Sequence, residues 1–441
     1  MTDEIHWINH AGYELRASGV RIVHDPWIEG FAFQDGWSLI SDSRYDYGQF
    51  AGVDYIWISH EHPDHFAPGV LRKIPEHIRS TITLLHRETQ DKRIVAFCRK
   101  LGFAVQELPD REPVVLKNGM TITCGCVGDD SWSMVTTPNA TYFNANDCVG
   151  LDWQKVASAI GRPIDILLTQ FSYASWAGNP GDRDTMRRRA EEKLAQMDQQ
   201  VAAFRPRTLI PFASYVWFCR PENFHLNEGV NRIDFVHRRF RDRLNTLVLY
   251  PGDVYRLGDG SFDSESAVRR YVSDLERHTA PLPATEPAQP VDKLMQLSQK
   301  HQDVLARQNA LWMLRPLLWC GFLRQAKFFL TDLDQGIEYS MFGGMRRSGL
   351  ARAECEIEFS SASFANMLSN GYGYSTLYIN GRFIERSAGA FARLGRHFAI
   401  FAQNAVGYGF PGLLLRRDYI QEHLVRIFRT VRKRLGPARA R

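Results

Sequence analysis

Short apolar runs alternate with Gly and Asp turns over residues 5–60, a pattern typical of β-strands. Two apolar-periodic stretches, Val70–Ile78 and Gln90–Leu101, favour helices. Strand patterns return between Leu116 and Asn146. We therefore expect the first half of the chain to alternate between sheet and helix.

Further along, Ile164–Gln170 and Arg207–Ala213 are apolar runs that favour strands. A long charged segment between them, Asp184–Phe204, predicts a helix that Asp182 or Asp184 caps and Arg205-Pro206 ends. Two groups of strands with interspersed helices predict an α/β fold, a four-layer αββα sandwich.

A proline-rich segment divides the chain, with prolines at 281, 283, 287 and 290 and no periodicity. We therefore predict a larger first domain over 1–275, an extended linker over 276–295 and a smaller α+β accessory domain over 296–441. A helix over Ser363–Asn370 and a hairpin around Asn380-Gly381 are expected in this last region. That order is similar to a sterol-carrier-protein-like domain, but a generic accessory or homodimerisation domain is the favoured alternative.

The segment Tyr419–Leu435 has apolar residues at helical spacing and an arginine-rich remainder. One interpretation is a helix that binds a membrane surface or an anionic partner. The favoured one is a terminal helix packed on its own domain. Residues 416–441 hold nine Lys or Arg against two acidic residues, so the net charge of +5 leaves the rest of the chain slightly acidic. This balance disfavours nucleic-acid binding.

Other composition features bear on location. No apolar run reaches the length of a transmembrane helix, and the first residues lack a signal-peptide pattern. Seven cysteines without framework spacing favour reduced thiols. We expect a cytoplasmic protein with no transmembrane segment.

The strongest chemical signal is the segment that follows the apolar run Ile56–Ile58. It places His60, His62, Asp64 and His65 within six positions. Imidazole and carboxylate groups bind catalytic divalent metals. Residues 60 and 62 share a face in an extended segment, and Pro63 then breaks the strand, so the last two side chains can face a second metal.

This motif resembles the metallo-β-lactamase superfamily, with the resemblance covering roughly residues 1–260. Asp25, in the segment His24-Asp25-Pro26-Trp27, matches the residue that supports the metal loop, and Asp147 matches the carboxylate that bridges two metals. Asn9-His10-Ala11-Gly12-Tyr13 and Asn146-Asp147-Cys148 resemble the branch of ascorbate-6-phosphate lactonase-like proteins and CMP-N-acetylneuraminate hydroxylase. The resemblance implies two divalent metal ions, zinc or iron, with manganese less favoured.

The chain departs from that family at two ligands. The region Cys124–Trp132 has no histidine where the first metal usually has one, so Cys124, Cys126, Asp129 or Asp130 would have to substitute, unless the region is only a β-hairpin with an acidic turn. His225 is the candidate for the last ligand. His10 and His24 are expected to be structural, and a mononuclear site stays open.

Two enzyme functions remain, and a non-catalytic scaffold is the least favoured reading. The first is a metallohydrolase of a small, anionic substrate, in which Asp64 holds the metal-activated water. The alternative is a non-haem di-iron oxygenase that takes electrons from an external donor, because the chain lacks the Cys/His spacing of a Rieske cluster. Four residues are expected to shape the substrate pocket: Trp27, Tyr173, Trp176 and Arg220, the last holding the anionic group.

Overall fold

The computed structural model describes residues 2–284, 286–319 and 321–415. Their contacts form two units. The N-terminal unit comprises the residues up to 284 with Ile379–Gly381, and the C-terminal unit comprises Glu286–Tyr378 and the described residues from Arg382 onward. Strands and helices are numbered below in chain order.

Two seven-stranded sheets form the centre of the N-terminal unit. The strands of the first are β1 (Glu4–Asn9), β2 (Gly12–Ala17), β3 (Val20–His24), β6 (Tyr55–Ile58), β7 (Thr83–Arg87), β8 (Ala104–Leu108) and β17 (Val254–Arg256). Their spatial order is β17-β1-β2-β3-β6-β7-β8. The run from β3 through β6 and β7 to β8 is parallel, so these strands end at one edge.

The second sheet mixes antiparallel and parallel pairs. Its strands are β9 (Pro113–Val115), β10 (Thr121–Val127), β11 (Asp130–Thr136), β12 (Thr141–Asn144), β13 (Ile166–Gln170), β14 (Thr208–Phe212) and β16 (Asn245–Thr246). They lie in the order β16-β14-β13-β12-β11-β10-β9. A small third sheet joins β15 (Val216–Phe218), β5 (Trp37–Leu39) and β4 (Phe31–Ala32).

The helices of this unit flank the sheets. They are α1 (Pro68–Lys73), α2 (Glu76–Arg79), α3 (Arg93–Lys100), α4 (Trp153–Ile160), α5 (Arg183–Phe204), α6 (Ile233–Phe240) and α7 (Ser264–Leu275). The Asp182 side chain caps α5 by accepting from the backbone N–H of Thr185, as one of the two sequence alternatives predicts. Helix α5 ends at Phe204, and Arg205 follows in a left-handed conformation.

Strand β6 shows how the layers are held together. Tyr55 and Trp57 belong to the core between the two sheets, which also contains Phe143 of the second sheet. Ile56 and Ile58 point the other way, into a second core shared with residues of α1 and α3. Both faces of the strand are therefore buried, which explains its uninterrupted apolar sequence. The predicted four-layer αββα sandwich is confirmed.

The C-terminal unit is a smaller α+β structure. Its elements are α8 (Val291–Gln308), α9 (Pro316–Trp319), β18 (Ala326–Leu330), β19 (Gln335–Ser340), β20 (Gly344–Arg347), β21 (Ile357–Phe359), α10 (Ser361–Ser369), α11 (Gly373–Asn380, whose last two residues group with the N-terminal unit), β22 (Phe383–Glu385), α12 (Ala390–Gly395) and α13 (Ala399–Ala405). The strands form one sheet in the order β20-β19-β18-β21-β22. Helix α8 begins at Val291, inside the segment for which the sequence predicts a linker.

The hairpin prediction around Asn380-Gly381 is wrong, because Gly373–Asn380 forms helix α11. Its β-favouring residues are overridden by packing: Tyr374 and Tyr378, four positions apart, both stack near Phe391, with ring centroids 4.5 and 5.6 Å away. The order of elements that is similar to a sterol-carrier-like domain is therefore absent here.

Among the described residues, no helix has the length and apolar content needed to cross a bilayer. The helix predicted over Tyr419–Leu435 lies outside the described residues.

Candidate metal centre

The loop after β6 carries the predicted metal motif, and Asp25 supports it from the neighbouring strand. Strands β3 and β6 are parallel, so Asp25 and Ser59 emerge at the same edge. The Asp25 carboxylate accepts hydrogen bonds from the backbone N–H and the hydroxyl of Ser59 at 2.8 and 2.7 Å. It also lies 2.9 Å from Nδ1 of His65. The sequence assigns this supporting role to Asp25, and the observed contacts agree with it.

That contact determines what His65 offers to the site. With Nδ1 donating to Asp25, Nε2 carries the lone pair and faces the carboxylates of Asp64 and Asp147, at 3.5 and 3.3 Å. Nε2 of His65 and Oδ1 of Asp64 are buried and have no hydrogen-bond partner among the described residues. Buried polar atoms without partners are costly, so their convergence fits a cation ligated at this point.

Among the described residues, three groups of side chains could each hold a metal ion, with ligand atoms within 4.8 Å of one another. They are His10, Asp64 and His65; His60, His65 and Asp147; and His60, His62 and Asp130. Every group contains two histidines and one carboxylate. Because neighbouring groups share His60 or His65, the three form one continuous cluster.

The electrostatics of the cluster also favour a cation. Burial and the neighbouring Asp147 carboxylate raise the pKa of Asp130 to about 6. Burial would lower the pKa of His65, but Asp147, Asp64 and Asp25 outweigh it and hold that pKa well above its usual value. Burial lowers the pKa of His60, so this imidazole stays neutral and able to ligate. The carboxylates thus attract a positive charge that a metal would supply.

A β-hairpin brings Asp130 to the cluster. Asp130 opens β11, which pairs with β10, and its carboxylate lies 3.6 Å from Nε2 of His60. The Ser131 hydroxyl donates to the backbone carbonyl of Ser59 at 2.7 Å, joining the hairpin to the metal loop. Arg87 donates to the Gly128 carbonyl at 2.7 Å and holds the turn. The sequence left Asp130 open among four substitutes, and it alone of them joins the donor groups found in the described residues.

Three residues around the cluster adopt left-handed backbone conformations although none is glycine. The φ angles of His10, Asp25 and Asn146 are 44°, 37° and 49°. Such conformations cost free energy and concentrate at functional sites. His10 belongs to the cluster, Asp25 supports it, and Asn146 directly precedes Asp147.

The cluster opens into a cleft of about 380 Å³. His62, Asp64, Asp130 and Asp147 line one side, and Gln170, Arg189 and Lys193 line another. Aromatic walls come from Phe33, Trp37 and Tyr173. The cleft therefore joins the donor groups, two cations and an apolar surface.

His225 and Arg220, both expected at the site, are placed elsewhere. Nε2 of His225 lies 3.1 Å from the Gly178 carbonyl, and His225 is in none of the donor groups of the described chain. The buried Arg220 guanidinium donates to the carbonyls of Asp35 and Pro283 and lies over the Phe31 ring. These contacts turn the guanidinium toward the protein interior, which favours a structural role over the predicted contact with a substrate.

The aromatic predictions have mixed outcomes. Tyr173 lines the cleft, with its hydroxyl donating to the Leu226 carbonyl. Trp27 is 1% exposed, donates to the Glu29 carbonyl and packs edge-on against His10, so it supports the site rather than contacting a substrate. Trp176 is half-buried and does not line the cleft.

Sequence reasoning missed the contribution of helix α5. Lys193 donates to Oε1 of Gln170, and Nε2 of Gln170 donates to Oδ1 of Asp147 at 3.3 Å. Burial lowers the pKa of Lys193, against the pull of the Asp147 carboxylate. The signal available was the position of Gln170 at the end of an apolar strand, but nothing in the charged pattern of α5 singled out Lys193.

Comparison with known families agrees with this site. A model described as a β-lactamase superfamily domain matches residues 4–119, which include the whole motif from Asp25 to His65. This part of the chain belongs to the metallo-β-lactamase superfamily. The superfamily membership expected from the sequence is thus confirmed.

Two curated relatives extend the comparison to other parts of the chain. A Mycobacterium tuberculosis protein whose name reads "Putative Rieske 2Fe-2S iron-sulfur protein" is 29% identical over 238 residues, which is 50% of this chain and 45% of that protein. Cytidine monophosphate-N-acetylneuraminic acid hydroxylase of Pongo pygmaeus is 36% identical over 72 residues, 16% of this chain and 12% of the hydroxylase. The matches thus span less than half the length of these relatives.

Among solved structures, the di-iron β-hydroxylase CmlA of Streptomyces venezuelae matches with a TM-score of 0.39 and 18% identity. The match covers 58% of this chain and 54% of that one. A likeness of this size carries no argument about function.

Proposed function

We propose that this protein is a non-haem di-iron oxygenase that acts on a small anionic molecule and takes electrons from an external donor. The observation that carries the proposal is the carboxylate of Asp130 at the position where the superfamily usually has a histidine, because a harder oxygen ligand moves the metal preference from zinc toward iron. His60, His62 and Asp130 thus form a set of two histidines and one carboxylate, which non-haem iron(II) oxygenases use. Bound iron would activate dioxygen. The protein's own residues would bind the metal, orient its ligands and contact the substrate.

The surrounding residues would hold this centre rigid. Asp25 fixes the ring of His65 and, through Ser59, the start of the metal loop. Gln170, at the end of β13, donates to Asp147 and is itself held by Lys193 of α5. Partners of this kind raise metal affinity because they fix the ligand's tautomer and orientation.

Asp64 would serve both as a ligand and as a polar contact for the substrate, because it belongs to a donor group and also lines the cleft. Its Oδ2 lies 3.2 Å from Nε2 of His10. This contact orients the carboxylate while Oδ1 remains available.

The cleft supports an anionic substrate. Arg189 and Lys193, one helical turn apart on α5, both line it, as does Glu192. Arg189 also pairs with Glu192 at 3.3 Å, which leaves Lys193 as the more central cation. Phe33, Trp37 and Tyr173 would cover the apolar part of a small ligand. These residues take over the role that the sequence assigned to Arg220.

The electron donor would be a separate iron–sulfur protein. The Mycobacterium tuberculosis relative, whose name includes a Rieske cluster, matches half of this chain. The present sequence lacks the paired Cys/His spacing of such a cluster. We further propose a cytoplasmic location, in line with six described cysteines that form no disulfide with one another. We also propose an accessory role for the C-terminal unit.

A metallohydrolase is the second candidate, because two histidines and a carboxylate also hold catalytic zinc. The match to a β-lactamase superfamily domain over residues 4–119 favours this alternative. In that case Asp64, beside the open side of the cluster, would hold the attacking water.

Oxygen reactivity tests the choice. The full chain, reduced without oxygen and then exposed to it, should show an optical change that follows the bound iron. Asp130→Ala should abolish the change, whereas Asp129→Ala, altering the exposed neighbour in the same turn, should retain it. An iron-loaded protein with no oxygen-dependent change would overturn the oxygenase proposal and leave the hydrolase.

A further inference from the structure

The C-terminal unit exposes an unusual set of large apolar side chains. They fall in two segments and comprise Trp312, Met313, Trp319, Phe322, Leu414 and Leu415. Trp319 and Leu415 are 84% and 85% exposed. Single exposed apolar residues are ordinary, but a group containing two tryptophans marks an interaction surface.

The two segments lie side by side. The backbone N–H of Ala310 donates to the Phe410 carbonyl at 2.8 Å, and that of Phe410 donates to Oδ1 of Asn309 at 2.8 Å. Inner side chains, including Leu314 and Phe410, pack into one apolar cluster beneath them. This anchoring places the outer residues of both segments over one shared apolar cluster.

The chain segments that carry this surface contain basic residues but no acidic ones. The sequence has no Asp or Glu from residue 304 to 331 or from 386 to 417. Arg315 is exposed between the two tryptophans, and the guanidinium of Arg396 lies 4.3 Å from the centroid of the Phe322 ring. The chain beyond Leu415 adds nine basic residues against two acidic ones.

We propose that this surface docks the protein on an anionic lipid bilayer. Tryptophan is enriched at the interface between lipid and water, where its ring is apolar and its N–H is polar. Apolar residues would enter the acyl boundary while the arginines contact headgroup phosphates. A negatively charged membrane complements an apolar surface that Arg315 and Arg396 border. This attachment is independent of the metal centre.

Vesicle sedimentation of the full chain tests the proposal. The protein should sediment with vesicles of phosphatidylcholine and phosphatidylglycerol, and much less with phosphatidylcholine alone. The double substitution Trp312→Ser with Trp319→Ser should weaken binding about tenfold or more, since binding scales with the apolar area inserted. Val115→Ser is the control, because Val115 is 72% exposed in the N-terminal unit and should leave binding unchanged.

Leu414→Ser with Leu415→Ser, a second pair on the same surface, should reproduce the loss. Equal far-ultraviolet circular dichroism would show that the variants fold. Unchanged sedimentation of both folded double variants, or equal binding to neutral and anionic vesicles, would overturn the proposal. It would also be overturned if the wild type failed to bind vesicles and formed a dimer that the tryptophan substitutions dissociate, because the surface would then join two copies.

Discussion

Nε2 of His10 lies 3.2 Å from Oδ2 of Asp64, although 54 positions separate the two residues in the chain. Both side chains are almost completely buried, at 1% and 2% exposure. The contact joins the turn between β1 and β2 to the loop after β6. Asp64 and His65 of the motif supply two ligands of one donor group, and His10 supplies the third.

Replacing His10 with alanine should weaken binding of the metal held by Asp64 and His65. Losing a ligand or its orienting partner lowers metal affinity about 10–100-fold or more. A titration of metal-free protein with iron(II) under anaerobic conditions measures this effect. His225→Ala is the matched control, since that histidine contacts the Gly178 carbonyl and should leave the titration unchanged. Equal titrations for wild type and His10→Ala would show that His10 is only structural.

Replacing Asp130 with histidine should change which metal is preferred. The substitution exchanges a hard carboxylate for a softer imidazole beside His60 and His62, so the preference should move from iron toward zinc. Protein reconstituted with equal amounts of the two metals, followed by elemental analysis, gives the ratio directly. An unchanged ratio would mean that Asp130 does not ligate.

Replacing Asp25 with asparagine should lower metal affinity about 10–100-fold without removing any ligand. The carboxylate of Asp25 accepts two hydrogen bonds from Ser59 and one from His65. An asparagine side chain has only one accepting oxygen, so it could not accept all three. Ser59→Ala should cost less, because Asp25 would keep its contacts with the Ser59 backbone and with His65. Metal affinity and thermal melting are measured together, and a loss of stability without a loss of affinity would contradict the positioning role.

The ionisation of the Glu14 carboxyl should make the free energy of unfolding depend on pH. Burial alone would raise the pKa of Glu14, but hydrogen bonds from Arg16 and Arg21 outweigh it and lower the pKa below its ordinary value of 4.5. A lowered folded-state pKa contributes stability that is complete above 4.5 and is lost as the pH falls through the folded value. Glu14→Gln should therefore reduce the free energy of unfolding by about 2 kcal/mol at neutral pH.

Denaturant unfolding of wild type and Glu14→Gln at several pH values checks this sign. The difference between them should shrink as the solution becomes more acidic than pH 4.5. A difference that grows in acid would contradict the arrangement of Glu14 between two arginines.

The sequence predicted the part of the site whose residues are close together in the chain. His60, His62, Asp64 and His65 lie within one loop, so their spacing alone indicates a shared site. Asp130 was left among four alternatives, because only the hairpin register brings it to His60. The same reasoning favoured a structural role for His10, since no local pattern shows which loop it contacts.

Long-range contacts also explain two further differences between sequence and structure. Arg220 was expected to hold an anion, and the structure buries it against the carbonyl of Asp35. Lys193 lines the cleft, but nothing in the charged pattern of α5 singled it out. For the fold, apolar runs predicted the two sheets well, whereas α11 was missed because contacts with Phe391 decide its conformation.

Metal analysis of the full chain, purified without added metal, tests the central claim most directly. We expect about two iron ions per chain. His62→Ala should lose much of the metal, and His225→Ala should retain it. Zinc in place of iron in the wild type would contradict the oxygenase account, and a metal content that His62→Ala leaves unchanged would contradict the site itself.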